Sequence, residues 1–184
     1  MIHFLEQPRP VWARRMRFLI FPCMNPYGYE HGLRNNHVNK DINRQYRGSG
    51  LVEIEAQKRV LGGQRFDLHM TLHEDVDAPG FYIYELSRRD DCIAAEIVKR
   101  LAKMIPIDPR PVIEGRRAHG GVIRRNFRIM RRKLWPEAFY MFGHHTDHTL
   151  TTETPGGFDF EKRVKSQRLA LQTACEWIQG SIWS

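Results

Sequence analysis

Apolar and polar residues change period several times along this chain, and each change marks an element. The run Phe18-Leu19-Ile20-Phe21 ends at Pro22 and predicts a buried strand over Met16 to Cys23. Asn25-Pro26-Tyr27-Gly28 follows with the chemistry of a turn. From there to Gly50 the chain is polar and rich in Asn, Gly and Arg, which predicts a long loop of the functional kind. Leu51, Ile54, Lys58 and Leu61 then recur at three-to-four spacing, so a helix is expected from Leu51 to Leu61, closed by Gly62-Gly63. Beyond it the period drops to two. Phe66, Leu68, Met70 and Leu72 take one side of a strand, while Asp67, His69, Thr71 and His73 take the other.

Phe81 to Leu86, aromatic and β-branched after Ala78-Pro79-Gly80, predicts a second strand. Asp90 or Asp91 is placed to cap a helix through Ile93, Ile97, Leu101 and Met104, which Pro106 stops. Pro109 to Glu137 reads as irregular, with one strand near Gly121 to Ile123. Phe139 to Phe142 and Thr149 to Glu153 read as short strands around the connection His144-His145-Thr146-Asp147-His148. Asp159 caps a final helix whose Val164, Leu171, Cys175 and Ile178 form one apolar stripe. Strands alternating with helices predict an α/β fold, a mixed central sheet flanked by helices, in a single domain over residues 1–184.

Composition narrows the class. At 184 residues and 41% hydrophobic content, the chain is long enough for one proper core. No apolar run reaches the roughly 18–20 residues of a membrane span, so no membrane partner and a cytoplasmic setting are expected. Cys23, Cys92 and Cys175 are widely spaced and never form Cys-x-x-Cys, which argues against a disulfide framework or a thiolate zinc site. The net charge of +8 comes from scattered arginine clusters that are not interleaved with stacking aromatics on one element, so nucleic acid is not the expected partner. Solvated surface and steering of an anionic substrate are the readings that remain.

Three polar features carry candidate chemistry. Arg34 and Arg44 sit on the same polar loop with Asn43 beside the second, and guanidinium forks with an amide donor grip carboxylates. His69, fixed on a strand, has the setting of a metal ligand. Glu153 stands at a strand end among threonines, in a neutral neighbourhood where burial raises a carboxylate toward general-base work. His144, His145 and His148 read as a substrate-contacting or solvated loop, and Tyr82, Tyr84, Tyr140 and Glu85 as candidate pocket residues.

In order and approximate spacing these pieces resemble the zinc metallocarboxypeptidase superfamily, which contains carboxypeptidase A and, more distantly, the succinylglutamate desuccinylase and aspartoacylase deacylases. The matching residues are Asn25-Pro26-Tyr27-Gly28-Tyr29, close to the family's Asn-Pro-Asp-Gly turn, then Arg34, then Asp41-Ile42-Asn43-Arg44, Asp67-Leu68-His69 and Glu153. The resemblance covers Phe18 to Pro155. It implies a carboxypeptidase-like (phosphorylase/hydrolase-like) fold and hydrolysis of a C-terminal peptide bond or related amide, with an N-acyl amino acid deacylase as the alternative. It also implies that zinc is bound by His69, the substrate carboxylate is held by Asn43 and Arg44, the oxyanion is stabilised by Arg34, and water is activated by Glu153. The expected partner is therefore a peptide or acyl-amino acid with a free carboxylate.

One part departs from the pattern. The family's His-x-x-Glu pair, which supplies two zinc ligands, lies well before the Asn-Pro turn. His3-Phe4-Leu5-Glu6 has the bare spacing but falls too near that turn. The resemblance therefore implies an N-terminally truncated domain, with a zinc-free, carboxylate-binding remnant as the third reading. All of these readings require Arg34, Asn43, Arg44, His69 and Glu153 to converge.

Overall fold

Four strands form the central sheet of this computed structural model, which describes residues 13, 15–48, 50–90, 92–126 and 130–183. In chain order the elements are α1 (Pro26–His31), a 3-10 turn (Ile42–Arg44), α2 (Val52–Leu61), β1 (His69–Asp75), β2 (Tyr82–Ser87) and α3 (Ile93–Leu101). The short strands β3 (Val112–Ile113), β4 (Arg116–Arg117) and β5 (Val122–Arg124) follow, then α4 (Glu137–His144), β6 (His148–Pro155) and α5 (Phe160–Trp183). The sheet runs β1-β6-β2-β5; β1 lies parallel to β6, β6 antiparallel to β2, and β2 parallel to β5. It is the mixed, helix-flanked sheet that the alternating pattern predicts.

Period-two alternation sorts the strand residues onto two faces. Leu150, Ile83 and Val122 face α3 and α5, where they pack with Ile93, Ile97, Leu101, Ala170, Ala174 and Ile178 in the main core. The opposite face carries His69, Thr71 and His73 from β1, Thr149, Thr151 and Glu153 from β6, and Tyr82, Tyr84 and Leu86 from β2. On that face Leu86 packs with Phe139 and Phe142 of α4, while Tyr82 and Ile123 pack with Ile113 and Ala118 of the β3–β4 hairpin. One face packs mainly apolar residues against the helices, and the other is polar enough to hold a site.

Several local expectations change in three dimensions. Residues 16–23 pair with no strand, and β1 is left at the sheet edge among the described residues. Asn25-Pro26-Tyr27-Gly28 opens a helix instead of closing a turn, because the Asn25 side chain caps it and Pro26 suits a first helical position. Phe139 to Phe142 lie in α4, not in a strand; a four-residue apolar run has no period of its own, and Pro136 just before Glu137 starts a helix. The β3–β4 hairpin forms inside the stretch expected to be irregular, turning at Glu114 (φ 47) and Gly115 (φ 69).

The capping of α3 also differs from the expectation. Cys92 is its N-cap residue without a side-chain cap bond, and Asp91 lies outside the described residues. Glu85, reaching across from β2, accepts from the backbone N–H groups of Ile93 (3.0 Å) and Ala94 (3.4 Å). The same carboxylate accepts from the Cys92 thiol at 2.8 Å and lies 2.8 Å from His148 Nε2. Burial pulls the Glu85 pKa upward, but the bonds from His148 and Cys92 outweigh it and hold the carboxyl below its ordinary value. Glu85 and His148 are therefore buried structural partners on the helix-covered face.

Because Leu150 is fully buried at the centre of the main core, Leu150→Ala should cost about 2–5 kcal/mol of stability in urea denaturation. Val60→Ala on the exposed side of α2 should change it by no more than about 0.5 kcal/mol.

Candidate functional site

The polar loop is held by its own amides. Asn25 Oδ1 accepts from the Gly28 N–H at 2.9 Å, and Asn25 Nδ2 donates to the Arg34 carbonyl at 3.0 Å. A Cβ at residue 28 would come within 2.2 Å of Asn25 Nδ2 and 2.4 Å of the Leu33 carbonyl, so this close approach needs glycine. Arg34 is then aimed by its Nε, which donates to Asp41 Oδ2 at 2.8 Å. In the 3-10 turn Arg44 Nη1 donates to the Asn43 carbonyl at 2.9 Å. Asn43 Oδ1 accepts from the Glu137 N–H at 2.8 Å and so ties the loop to the first turn of α4.

Strand register brings the titratable pair together. His73 stands opposite Glu153 across the parallel β1/β6 ladder, Thr71 opposite Thr151 with their hydroxyls 3.0 Å apart, and His69 opposite Thr149. Burial lowers the His73 pKa; Glu137 opposes that shift, while the Arg34 and Arg44 guanidiniums add to it. Burial also pushes the Glu153 carboxyl up to about 8, helped by the Glu114 and Asp75 carboxylates and opposed by Arg34 and Arg44. The two guanidiniums therefore act on both members of the pair. A cavity of about 1480 Å³ opens here, with Arg34, Asp41, Asn43, His73 and Glu137 in its wall.

His69, the metal ligand expected from the sequence, lies at the opposite end of β1, about 13 Å of strand from His73. Its Nε2 is 3.4 Å from Glu137 Oε1, and its Nδ1 is buried without a hydrogen-bond partner among the described residues. Glu153 shares its sheet face but not its level. Arg34, Arg44 and Glu153 thus share one electrostatic neighbourhood and Asn43 shares the cavity wall; His73 stands opposite Glu153, and His69 reaches the same wall through Glu137.

Glu137 is the residue that sequence reasoning missed. It lies in a stretch expected to be irregular and enters the site only because α4 packs across β1. Its carboxylate accepts from Gln57 Nε2 at 2.5 Å, and Gln57 Oε1 in turn accepts from the Tyr46 hydroxyl at 2.7 Å. Burial would raise the Glu137 pKa, but His69, Gln57 and the field of His73 prevail and keep the carboxyl below its ordinary value. His73 had a visible signal, its place in the alternation two residues beyond Thr71.

A catalytic zinc takes three protein ligands and an open position. Among the described residues no group of three His, Cys, Asp or Glu side chains comes together to hold a metal ion, and His3 and Glu6 lie outside those residues. The described residues alone do not make up such a ligand set. No described helix is long and apolar enough to cross a membrane.

Because the folded-state pKa of Glu153 is raised, the protonated carboxyl favours the fold below about 4.5, and that contribution is lost as pH rises through about 8. With chelator present, the wild type should lose more stability, or gain less, between about pH 5 and pH 9 than Glu153→Gln does. The comparison is read from thermal melts across the pH series.

No family model matches the chain, and no curated protein matches it. Solved structures do. A candidate metallopeptidase from Shewanella baltica shares the fold with a TM-score of 0.79 at 21% identity, over 96% of this chain and 69% of that one. One from Shewanella amazonensis gives 0.77 at 21% identity, over 94% and 68%. A metallo-carboxypeptidase from Burkholderia cenocepacia gives 0.59 at 16% identity, over 88% and 45%. The chain spans about two thirds of the length of these Shewanella proteins and less than half of the Burkholderia one. What they have in common with this chain at such identities is the architecture, an α/β fold of the metallopeptidase type.

Proposed function

We propose that the chain carries the substrate-binding and proton-transfer residues of a metallocarboxypeptidase-like hydrolase, acting on the amide bond next to a free carboxylate. The observation that supports this reading is the half-buried His73–Glu153 pair, which lies in the shared field of Arg34 and Arg44. Asn43 and Arg44 hold the substrate carboxylate through an amide and a planar cation. Arg34 faces the oxygen on which charge grows during attack. Glu153, with a pKa near 8, takes a proton from the attacking water and returns it to the leaving nitrogen, a task best performed by a group that titrates close to the working pH.

Zinc, when bound, supplies a water of lowered pKa. His73 is the better ligand for it than His69, because His73 stands beside Glu153 whereas His69 is turned toward Glu137. The other ligands would come from outside the described residues.

Zinc content after dialysis, measured on the wild type, His73→Ala and His69→Ala, tests the assignment. Loss of metal in His73→Ala with retention in His69→Ala is expected; the reverse result returns the role to His69. Glu153→Gln should keep the metal and lower the hydrolysis of blocked dipeptides by about 10²–10⁴-fold. Arg34→Met should lower kcat by about 10²–10³-fold. Carboxylate binding without zinc or hydrolysis would instead identify a non-catalytic binding protein, and cleavage of N-acyl amino acids in preference to peptides would identify a deacylase.

A further inference from the structure

A second cationic group lies on the Glu153 face, on the side of the sheet away from β1. Ile123 of β5 pairs with Tyr84 and packs with it and Tyr82 on that face. Arg125, two residues on, therefore projects to the same face; its N–H extends the ladder by donating to the Glu85 carbonyl at 2.8 Å. Its guanidinium carbon lies 5.8 Å from the centre of the Phe139 ring. By strand spacing its backbone is about 16 Å from that of Glu153, with Tyr84 on the strand between them.

The β3–β4 hairpin closes over this region. Glu114 at its tip accepts from the Tyr84 hydroxyl at 2.6 Å, and Arg116 follows the turn on β4. The charges there do not balance. Arg125 is half-buried, and among the described residues its guanidinium has no hydrogen-bonded or ion-paired partner; the same holds for Arg116. Burial lowers the Arg125 pKa, the nearby Arg116 lowers it further, and only Glu114 and Tyr84 oppose them. Near Arg125 a second guanidinium, Arg116, thus stands beside a single carboxylate, Glu114. A half-buried cation whose nearby carboxylate neither bonds it nor offsets both guanidiniums is costly, and an anionic ligand supplies what is missing.

We infer that Arg116 and Arg125, roofed by the β3–β4 hairpin and backed by Phe139, form a second anion subsite, so that the substrate carries an acidic group besides the carboxylate held at Arg34, Asn43 and Arg44. The inference rests on the proposed hydrolase site for its first carboxylate but not for its own chemistry. The second acid is either the side chain of the terminal residue or a group on the acyl side of the scissile bond. A guanidinium–carboxylate contact of this kind corresponds to about a tenfold preference or more for the acidic ligand over its amide.

Calorimetric binding to the whole chain tests this with N-acetylglutamate against N-acetylglutamine, for an acid on the terminal residue. N-succinyl-leucine against its succinamide analogue tests an acid on the acyl side. The wild type should prefer the acidic member of one pair about tenfold, and Arg125→Met should bring the ratio close to one. Arg116→Gln, on a half-exposed hairpin position that does not threaten folding, should reduce it partway, and Arg125→Glu should invert it. Equal binding of acid and amide in both pairs, no binding of either, or a preference that survives both neutral variants would overturn the inference. Failure of the hydrolase reading would appear differently, as retained acid preference without turnover.

Discussion

The parallel pairing of β1 with β6 is the constraint on which the site depends. It sets His73 opposite Glu153 on one face and Leu150 in the apolar core on the other. A one-residue slip of either strand would send every one of these side chains to the wrong face, so the core that fixes the register also fixes the chemistry. Threonines reinforce the ladder: Thr71 bonds Thr151, and Thr152 and Thr154 donate to carbonyls of β1. Partial burial and the Glu114 and Asp75 carboxylates push the carboxyl at the end of this ladder up to about 8, which a solvated strand end would not achieve.

Around that pair the polar groups form a support that reaches across the chain. Asn25 fastens the start of the loop to Arg34, Asp41 aims Arg34, and Asn43 links the 3-10 turn to α4. Glu137 then gathers Gln57 from α2 and His69 from β1, with Tyr46 behind Gln57. Such a network orients the anion-binding groups without covering them, and at its buried end a lost partner would leave Gln57 with an unpaired polar atom. The hairpin of β3 and β4 plays the corresponding part on the other flank through Glu114 and Tyr84.

Element types were largely legible in the residues. The helix before Gly62, the alternation through His69 and His73, the strand through Thr149 to Glu153 and the helix after Asp159 all appear, within a few residues of their expected bounds. Asp159 caps that last helix, its Oδ1 accepting from the Lys162 N–H at 3.1 Å. Expectations changed where local sequence is ambiguous. Phe139 to Phe142 has no resolvable period, a two-residue strand such as β3 has none either, and the cap of α3 comes from a different strand.

By itself the sequence determined which side chains alternate on each strand, which loop carries Arg34, Asn43 and Arg44, and that Glu153 ends a strand among neutral residues, because these follow from backbone period and local chemistry. Tertiary structure alone decided which histidine stands beside that glutamate, that Glu137 enters the cavity wall, and that Glu85 caps a helix. Those outcomes depend on strand register and on how α4 lies across β1. Such contacts join residues far apart in the chain, and no local pattern encodes them.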